Sequence, residues 1–164
     1  DGIDLELTLS LTDAEENHFG SGALNLFSSG NELSAVGMEM VGSFGGSVLE
    51  PGETIDIRIE LNNDGSTDAL SVSGTITCAS PFVDIIDGYG TWATVNSGGS
   101  SMNGDDHFQI STPNETIPGT IAHLIVNVET EEGYVSNSIL EVQIGTPTVN
   151  DPVGPDAYLS LIHI

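Results

Sequence analysis

Apolar and polar residues alternate along much of this chain. Ile55, Ile57, Ile59 and Leu61 are separated by Asp56, Arg58 and Glu60, the period-two pattern of a strand with one buried and one wet face. Leu5, Leu7, Leu9 and Leu11 alternate in the same way with Glu6, Thr8 and Ser10. The pattern returns at Leu70, Val72 and Ile76, at Leu124, Val126 and Val128, and at Leu140, Val142 and Ile144 within 139–144. Turn formers divide these runs: Pro51-Gly52, Asn63-Asp64-Gly65, Ser97-Gly98-Gly99, Pro113-Asn114 and Pro118-Gly119. Ala35 to Val41 admits a helical turn, but Gly37, Gly42, Gly45 and Gly46 argue against it. No longer window carries a helical stripe. Seven or eight short strands within one domain length predict an all-β chain folded as an antiparallel sandwich, with a barrel as the competing architecture.

An internal repeat suggests the domain boundaries. The run Ile3 to Thr12 is followed by Asp13-Ala-Glu-Glu16, an aromatic at Phe19 and a second run, Ala23 to Phe27. The run Ile121 to Thr130 is followed by Glu131-Glu132-Gly133, an aromatic at Tyr134 and a second run, Ile139 to Ile144. Both read as strand, acidic turn, aromatic, strand. The long period suits tandem sandwiches rather than a solenoid. Residues 1–30 are therefore expected to be the terminal hairpin of a preceding, truncated β-sandwich domain. Residues 34–145 are expected to form a complete sandwich ending in the equivalent hairpin. Residues 146–158, with Pro147, Pro152 and Pro155, read as an extended linker. Residues 159–164, Leu-Ser-Leu-Ile-His-Ile, read as the translation of a sequencing adapter, so the chain is expected to be a fragment at both ends.

Charge narrows the partners. The 164 residues carry 25 Asp or Glu against one Lys or Arg, a formal charge of −24, which repels phosphate. Nucleic acid is excluded as an expected partner, and no apolar run approaches the ~20 residues of a membrane-spanning helix. The single cysteine gives no disulfide framework.

Four groups of residues could carry chemistry. Cys78 with His107 or His123 would make a thiolate nucleophile, but Cys78 follows the apolar strand of Ile76 and reads better as a small buried hydrophobe. Asp13, Glu15, Glu16, Asp105, Asp106, Glu129, Glu131 and Glu132 lie in turns or strand ends, where calcium takes oxygen ligands. Asp105, Asp106, Glu131 and Glu132 are the candidates for a calcium site, with a simple solvated surface as the alternative. His18, His107, His123 and His163 are too scattered for zinc, and His123 reads as an exposed or edge residue that interrupts its strand. Trp92 and Tyr89, with Phe82 and Phe108, could line a sugar platform, although Trp92 within Thr91–Val95 reads better as core. Asn114-Glu-Thr116 matches the glycosylation acceptor pattern.

The segment Ser47-Val-Leu-Glu-Pro-Gly-Glu-Thr54, the strand to Leu61 and then Asn62-Asn-Asp-Gly65 resemble the opening of immunoglobulin-like modules in large secreted bacterial surface proteins. Such modules accompany gingipain-type cysteine peptidases. Ser80 to Asp87, Ile117-Pro-Gly-Thr-Ile121 and the linker Asp151 to Tyr158 add to the resemblance, which covers residues 34–158. Relatives often carry acids ahead of the Leu-Glu-Pro-Gly-Glu segment, whereas this chain has Gly42-Ser-Phe-Gly-Gly46. The resemblance implies an immunoglobulin-like fold, a secreted or cell-surface setting and no gingipain-type catalytic motif in these residues. The expected role is a non-catalytic spacer or interaction module whose partners are neighbouring domains of the same chain, with a surface glycan or protein as further candidates. The alternative is a carbohydrate- or calcium-binding module.

Overall fold

The computed structural model describes residues 4–27, 30–43, 46 and 48–147. The alternating runs all become strands. In chain order these are β1 (Asp4–Thr12), β2 (His18–Phe27), β3 (Leu33–Val41), β4 (Thr54–Asn63), β5 (Ala69–Cys78), β6 (Asp84–Asp87), β7 (Tyr89–Val95), β8 (Gly99–Met102), β9 (Phe108–Ser111), β10 (Thr120–Glu129) and β11 (Val135–Ile144). Among the described residues there is no helix, and Ala35–Val41 lies within β3. Gly37 lies at a bulge, where β3 slips against β4 between Ala35 and Gly37.

Two antiparallel sheets face each other. One runs β11-β10-β5-β7 and the other β3-β4-β9-β6, with β8 also paired to β4. The fold is an all-β antiparallel sandwich. β4 is its central strand: Ile55, Ile57, Ile59 and Leu61 are all buried, while Asp56, Arg58 and Glu60 lie on the outer face. Its far edge is shared, because β9 pairs with Thr54–Ile57 and β8 with Glu60–Asn63. Asn103 fills the gap between them, accepting the Ile59 N–H at Oδ1 (2.6 Å) and donating from Nδ2 to the Asp106 carbonyl (2.6 Å). Apolar burial is the main source of cohesion here, since one cysteine can form no internal disulfide.

The facing sheet contributes Val72, Trp92, Val95, Leu124 and Val126. β5 and β7 depart from simple alternation together. Ala69 and Val72 are both buried although three residues apart, as are their partners Val95 and Trp92. The intervening Ser71 has φ 50, a left-handed conformation that rotates the strand so that both ends reach the core. The Trp92 and Phe108 rings pack with centroids 5.9 Å apart, under Gly90 and Gly74. An added Cβ at Gly90 would lie 2.7 Å from the Phe108 ring, so that position requires glycine.

β3 and β11 are edge strands of opposite sheets, and they close one side of the sandwich while running in the same direction. The Leu33 N–H donates to the Tyr134 hydroxyl (3.2 Å), Ser136 Oγ donates to the Leu33 carbonyl (2.8 Å), and the Ala35 N–H donates to Ser138 Oγ (2.9 Å). At the other end Leu49 bridges Ile144 in parallel, and the Gly145 N–H donates to the Leu49 carbonyl (2.8 Å). The chain therefore enters this sandwich at the Tyr134 pole and leaves it at the Leu49 pole. β11 is ten residues long. At ~3.3 Å per residue, the poles lie about 30 Å apart.

β1 and β2 form a separate two-stranded sheet. Leu9 and Leu11 are exposed on it, 64% and 58%. The side chains of Leu5, Leu7 and Phe19, most of the linker 146–158, and all of 159–164 including His163 lie outside what the structure describes.

Candidate functional site

The structure separates most of the residues that the sequence grouped. Cys78 and Leu124 are paired across β5 and β10, and Cys78 packs half-buried against the core. His123 is the next residue from Leu124 and therefore lies on the opposite face, where its Nε2 meets Glu141 Oε1 at 3.4 Å. His107 lies on the outer face of the other sheet and accepts the Arg58 Nε–H (2.9 Å). No thiol–imidazole pair forms between Cys78 and either histidine. His123 also does not interrupt its strand as expected: β10 alternates through Ala122, Leu124, Val126 and Val128, with Ile121 and Ile125 exposed beside His123. His123 is exposed, as expected, and the neighbouring Ala122 keeps the buried face of β10 continuous.

The aromatic platform is divided by the sheet itself. Trp92 and Phe108 are core, whereas Tyr89 is 51% exposed and Phe82 is 41% exposed. The Trp92 indole N–H is satisfied internally by the Ile59 carbonyl (2.9 Å). Trp92 is therefore unavailable to a ligand, as its strand position suggested. Tyr89 alone of the pair faces solvent.

The candidate calcium ligands come from two loops. Asp105 and Asp106 lie between β8 and β9, and Glu131 and Glu132 in the β10–β11 turn. Asp106 Oδ2 accepts the Thr91 hydroxyl at 3.1 Å. Among the described residues no three such groups converge as ligands would. The Leu-Glu-Pro-Gly-Glu segment serves architecture. Leu49 is fully buried, Gly52 has φ 82, and Glu53 folds back so that Oε2 accepts the Glu50 N–H (2.9 Å) and the Ser43 hydroxyl (3.3 Å). In the following motif, Asn63 holds a loop together. Its Nδ2 donates to the carbonyls of Thr67 (2.8 Å) and Val95 (3.0 Å), and its Oδ1 accepts from Glu32 (3.2 Å) and Gly65 (3.0 Å).

One surface does have the shape of a site. On the outer face of the four-stranded sheet, Ser73, Thr75 and Asn127 floor a hollow of about 440 Å³, with Tyr89 on one side and Val135 and Asn137 on the other. Small hydroxyl residues on β5 leave it low, and the longer side chains of β7 and β11 raise its walls. The sequence held a cue in Ser73-Gly-Thr75, which reads as a plain strand until Tyr89 is known to lie across from Thr75. Hydroxyl and amide groups and the Glu129 carboxylate beside an exposed ring can hold a neutral polyol, by hydrogen bonds to its hydroxyls and by stacking of its C–H face.

No protein-family model matches the chain, and no curated protein sequence matches it. Solved structures similar to it include a FixG-related protein from Vibrio parahaemolyticus (6% identity, 70% of this chain and 95% of that one, TM-score 0.38). The CARDB domain of the PF1109 protein from Pyrococcus furiosus, solved with di-metal ions, is similar at 14% identity over 70% of this chain and 88% of that one, with TM-score 0.37. A cohesin module of a family 33 glycoside hydrolase from Clostridium perfringens is similar at 13% identity over 73% of this chain and all of that module, with TM-score 0.36.

Proposed function

We propose that this sandwich is a non-catalytic spacer and interaction module of a secreted or cell-surface multidomain protein. The observation that supports it is the polarity of the chain path. Chain enters beside Tyr134 and leaves beside Leu49, about 30 Å away along the long axis of the strands. A unit threaded in this way adds length when placed between neighbours, whereas one with both ends at a single pole would hang as a side branch. Its first and last strands are also cross-tied along their length, so the two ends are held by one stiff edge. The resemblance of the Leu-Glu-Pro-Gly-Glu segment to modules beside gingipain-type peptidases supports a parent protein of that kind, and neighbouring domains of the same chain are the expected partners.

A second reading is favoured by the hollow beneath Tyr89: a module that binds a neutral carbohydrate. A glycan array discriminates the two. The spacer reading expects no reproducible hit that Tyr89→Ala removes. A hit that Tyr89→Ala and Asn127→Ala both abolish, with melting unchanged, would replace the spacer with a binding module.

A further inference from the structure

The two ends of the described chain contain the same turn. Between β1 and β2, the Asp13 N–H donates to the Asn17 carbonyl (3.1 Å), the Glu16 N–H to the Asp13 carbonyl (3.2 Å), and the Asn17 N–H to Asp13 Oδ1 (2.7 Å). Between β10 and β11, the Thr130 N–H donates to the Tyr134 carbonyl (3.0 Å), the Gly133 N–H to the Thr130 carbonyl (2.9 Å), and the Tyr134 N–H to Thr130 Oγ1 (3.2 Å). The fourth residue is left-handed in both, with φ 65 at Glu16 and φ 84 at Gly133. Glycine is the usual choice there, so a glutamate in the same conformation marks the geometry as required by the ribbon.

The match continues into the strands. The turns are flanked by Thr12↔His18 and Glu129↔Val135. This sets Leu7, Leu9 and Leu11 on the register positions of Leu124, Val126 and Val128, which are all buried. β2 then has one extra residue at the shift between Leu11 and Thr12. That bulge sets Leu24 opposite Leu7 and Leu26 opposite Leu5, just as Leu140 stands opposite Leu124 and Val142 opposite Ala122. The sequence comparison alone paired Thr12 with Thr130 and Phe19 with Tyr134. The hydrogen bonds correct this to Asp13 with Thr130 and Asn17 with Tyr134, and Phe19 is the extra residue at the bulge, with no counterpart in β11.

We propose that the β1–β2 ribbon is the closing hairpin of a second sandwich of this same architecture. Its leucine face takes the facing sheet of that sandwich, supplied by the stretch of the parent chain ahead of residue 1. In the sandwich that is present, the equivalent face of β10 and β11 is covered by the sheet built on β4. On the ribbon the equivalent positions Leu9 and Leu11 are exposed. This inference is independent of the spacer reading, since a binding module could be repeated in tandem equally well.

The test is to recover the upstream coding sequence and express the parent chain through residue 147 beside the 164-residue chain. Hydrogen exchange is then followed at the amides of 5–11. The expected result is an upstream sandwich pattern ending in the ribbon, with those amides slowed at least ~100-fold in the longer protein. Leu9→Asp with Leu11→Asp should remove that protection and leave exchange in β10 unchanged. A reading frame without such a pattern, or equal exchange in the two proteins, would overturn the proposal. So would a dimer of the 164-residue chain in which the ribbon amides are already slow, because the face would then accept a second copy. The wild-type comparison needs no variant to fold.

Discussion

The indole N–H of Trp92 donates to the main-chain carbonyl of Ile59 at 2.9 Å, joining β7 of one sheet to β4 of the other through the core. The same carbonyl accepts the Asn103 N–H at 3.2 Å. One atom of the central strand is therefore held from both the facing sheet and the loop that follows β8. An added Cβ at Gly74 would lie 2.9 Å from the Trp92 ring, so the glycine makes room for the indole.

Trp92→Ala should cost about 3–5 kcal/mol in denaturant unfolding, through lost packing and an unfilled cavity. Gly74→Ala should cost about 1–3 kcal/mol by overpacking. If the indole is what it meets, the Gly74→Ala cost should shrink when Trp92 is replaced by Phe. Strict additivity in that double-mutant cycle would separate the two residues.

Asn63 is fully buried and uses all four hydrogen-bonding positions of its amide. Asn63→Ala should lower stability by about 3 kcal/mol or more, because buried backbone groups lose their partners. Asn63→Asp should be no better, since a carboxylate would face the Thr67 and Val95 carbonyls. Urea midpoints measure both, with an unchanged slope expected.

Asp13 gives the ribbon turn a pH dependence. The Asn17 side-chain amide holds its carboxyl below the usual aspartate value; desolvation opposes this, and the N–H groups of Asn17 and Glu15 add to the lowering. A lowered folded value means the contribution is present above the unfolded pKa and lost as pH falls through the folded one. An NMR titration should find the Asp13 midpoint below that of a free aspartate, and Asn17→Ala should raise it. A midpoint unmoved by that change would remove the side-chain amide as the cause.

The surface charge sets the salt response. Arg58 is the one Lys or Arg against 25 acids, and it lies on the outer face within 3.9 Å of Glu39. Self-repulsion should ease as salt shortens the Debye length toward ~10 Å at 0.1 M, raising the melting temperature. At matched ionic strength, sodium, magnesium and calcium curves should coincide. A calcium-specific rise of several degrees, abolished by Asp105→Asn with Asp106→Asn, would establish the calcium site that those loops suggested.

Strands such as β4 and β10 were legible because apolar residues recur at every second position, as in Ile55 to Leu61, whereas the glycines and methionines of β3 blurred its pattern. β6, β8 and β9 were not, since four residues such as Gly99–Met102 are too few for a period to register. Asn63 reads as a turn residue in the sequence and proves to be a buried tie, a difference that depends on the Val95 carbonyl far away in the chain. The candidate site was legible only in part. Trp92 was expected in the core and is there, but the hollow beneath Tyr89 is assembled from β5, β7, β10 and β11 and belongs to no single segment. The repeat was visible as a pattern of residue types. Its register needed the turn hydrogen bonds.

The sandwich carries the chain from one pole to the other. Spin labels at Glu32→Cys and Thr146→Cys, with Cys78 replaced by alanine, measure this directly by electron–electron dipolar spectroscopy. A single narrow distribution centred at about 30–40 Å is expected, from ten residues of β11 at ~3.3 Å each plus the label tethers. A distribution centred below about 20 Å would bring both ends to one pole and contradict the spacer reading.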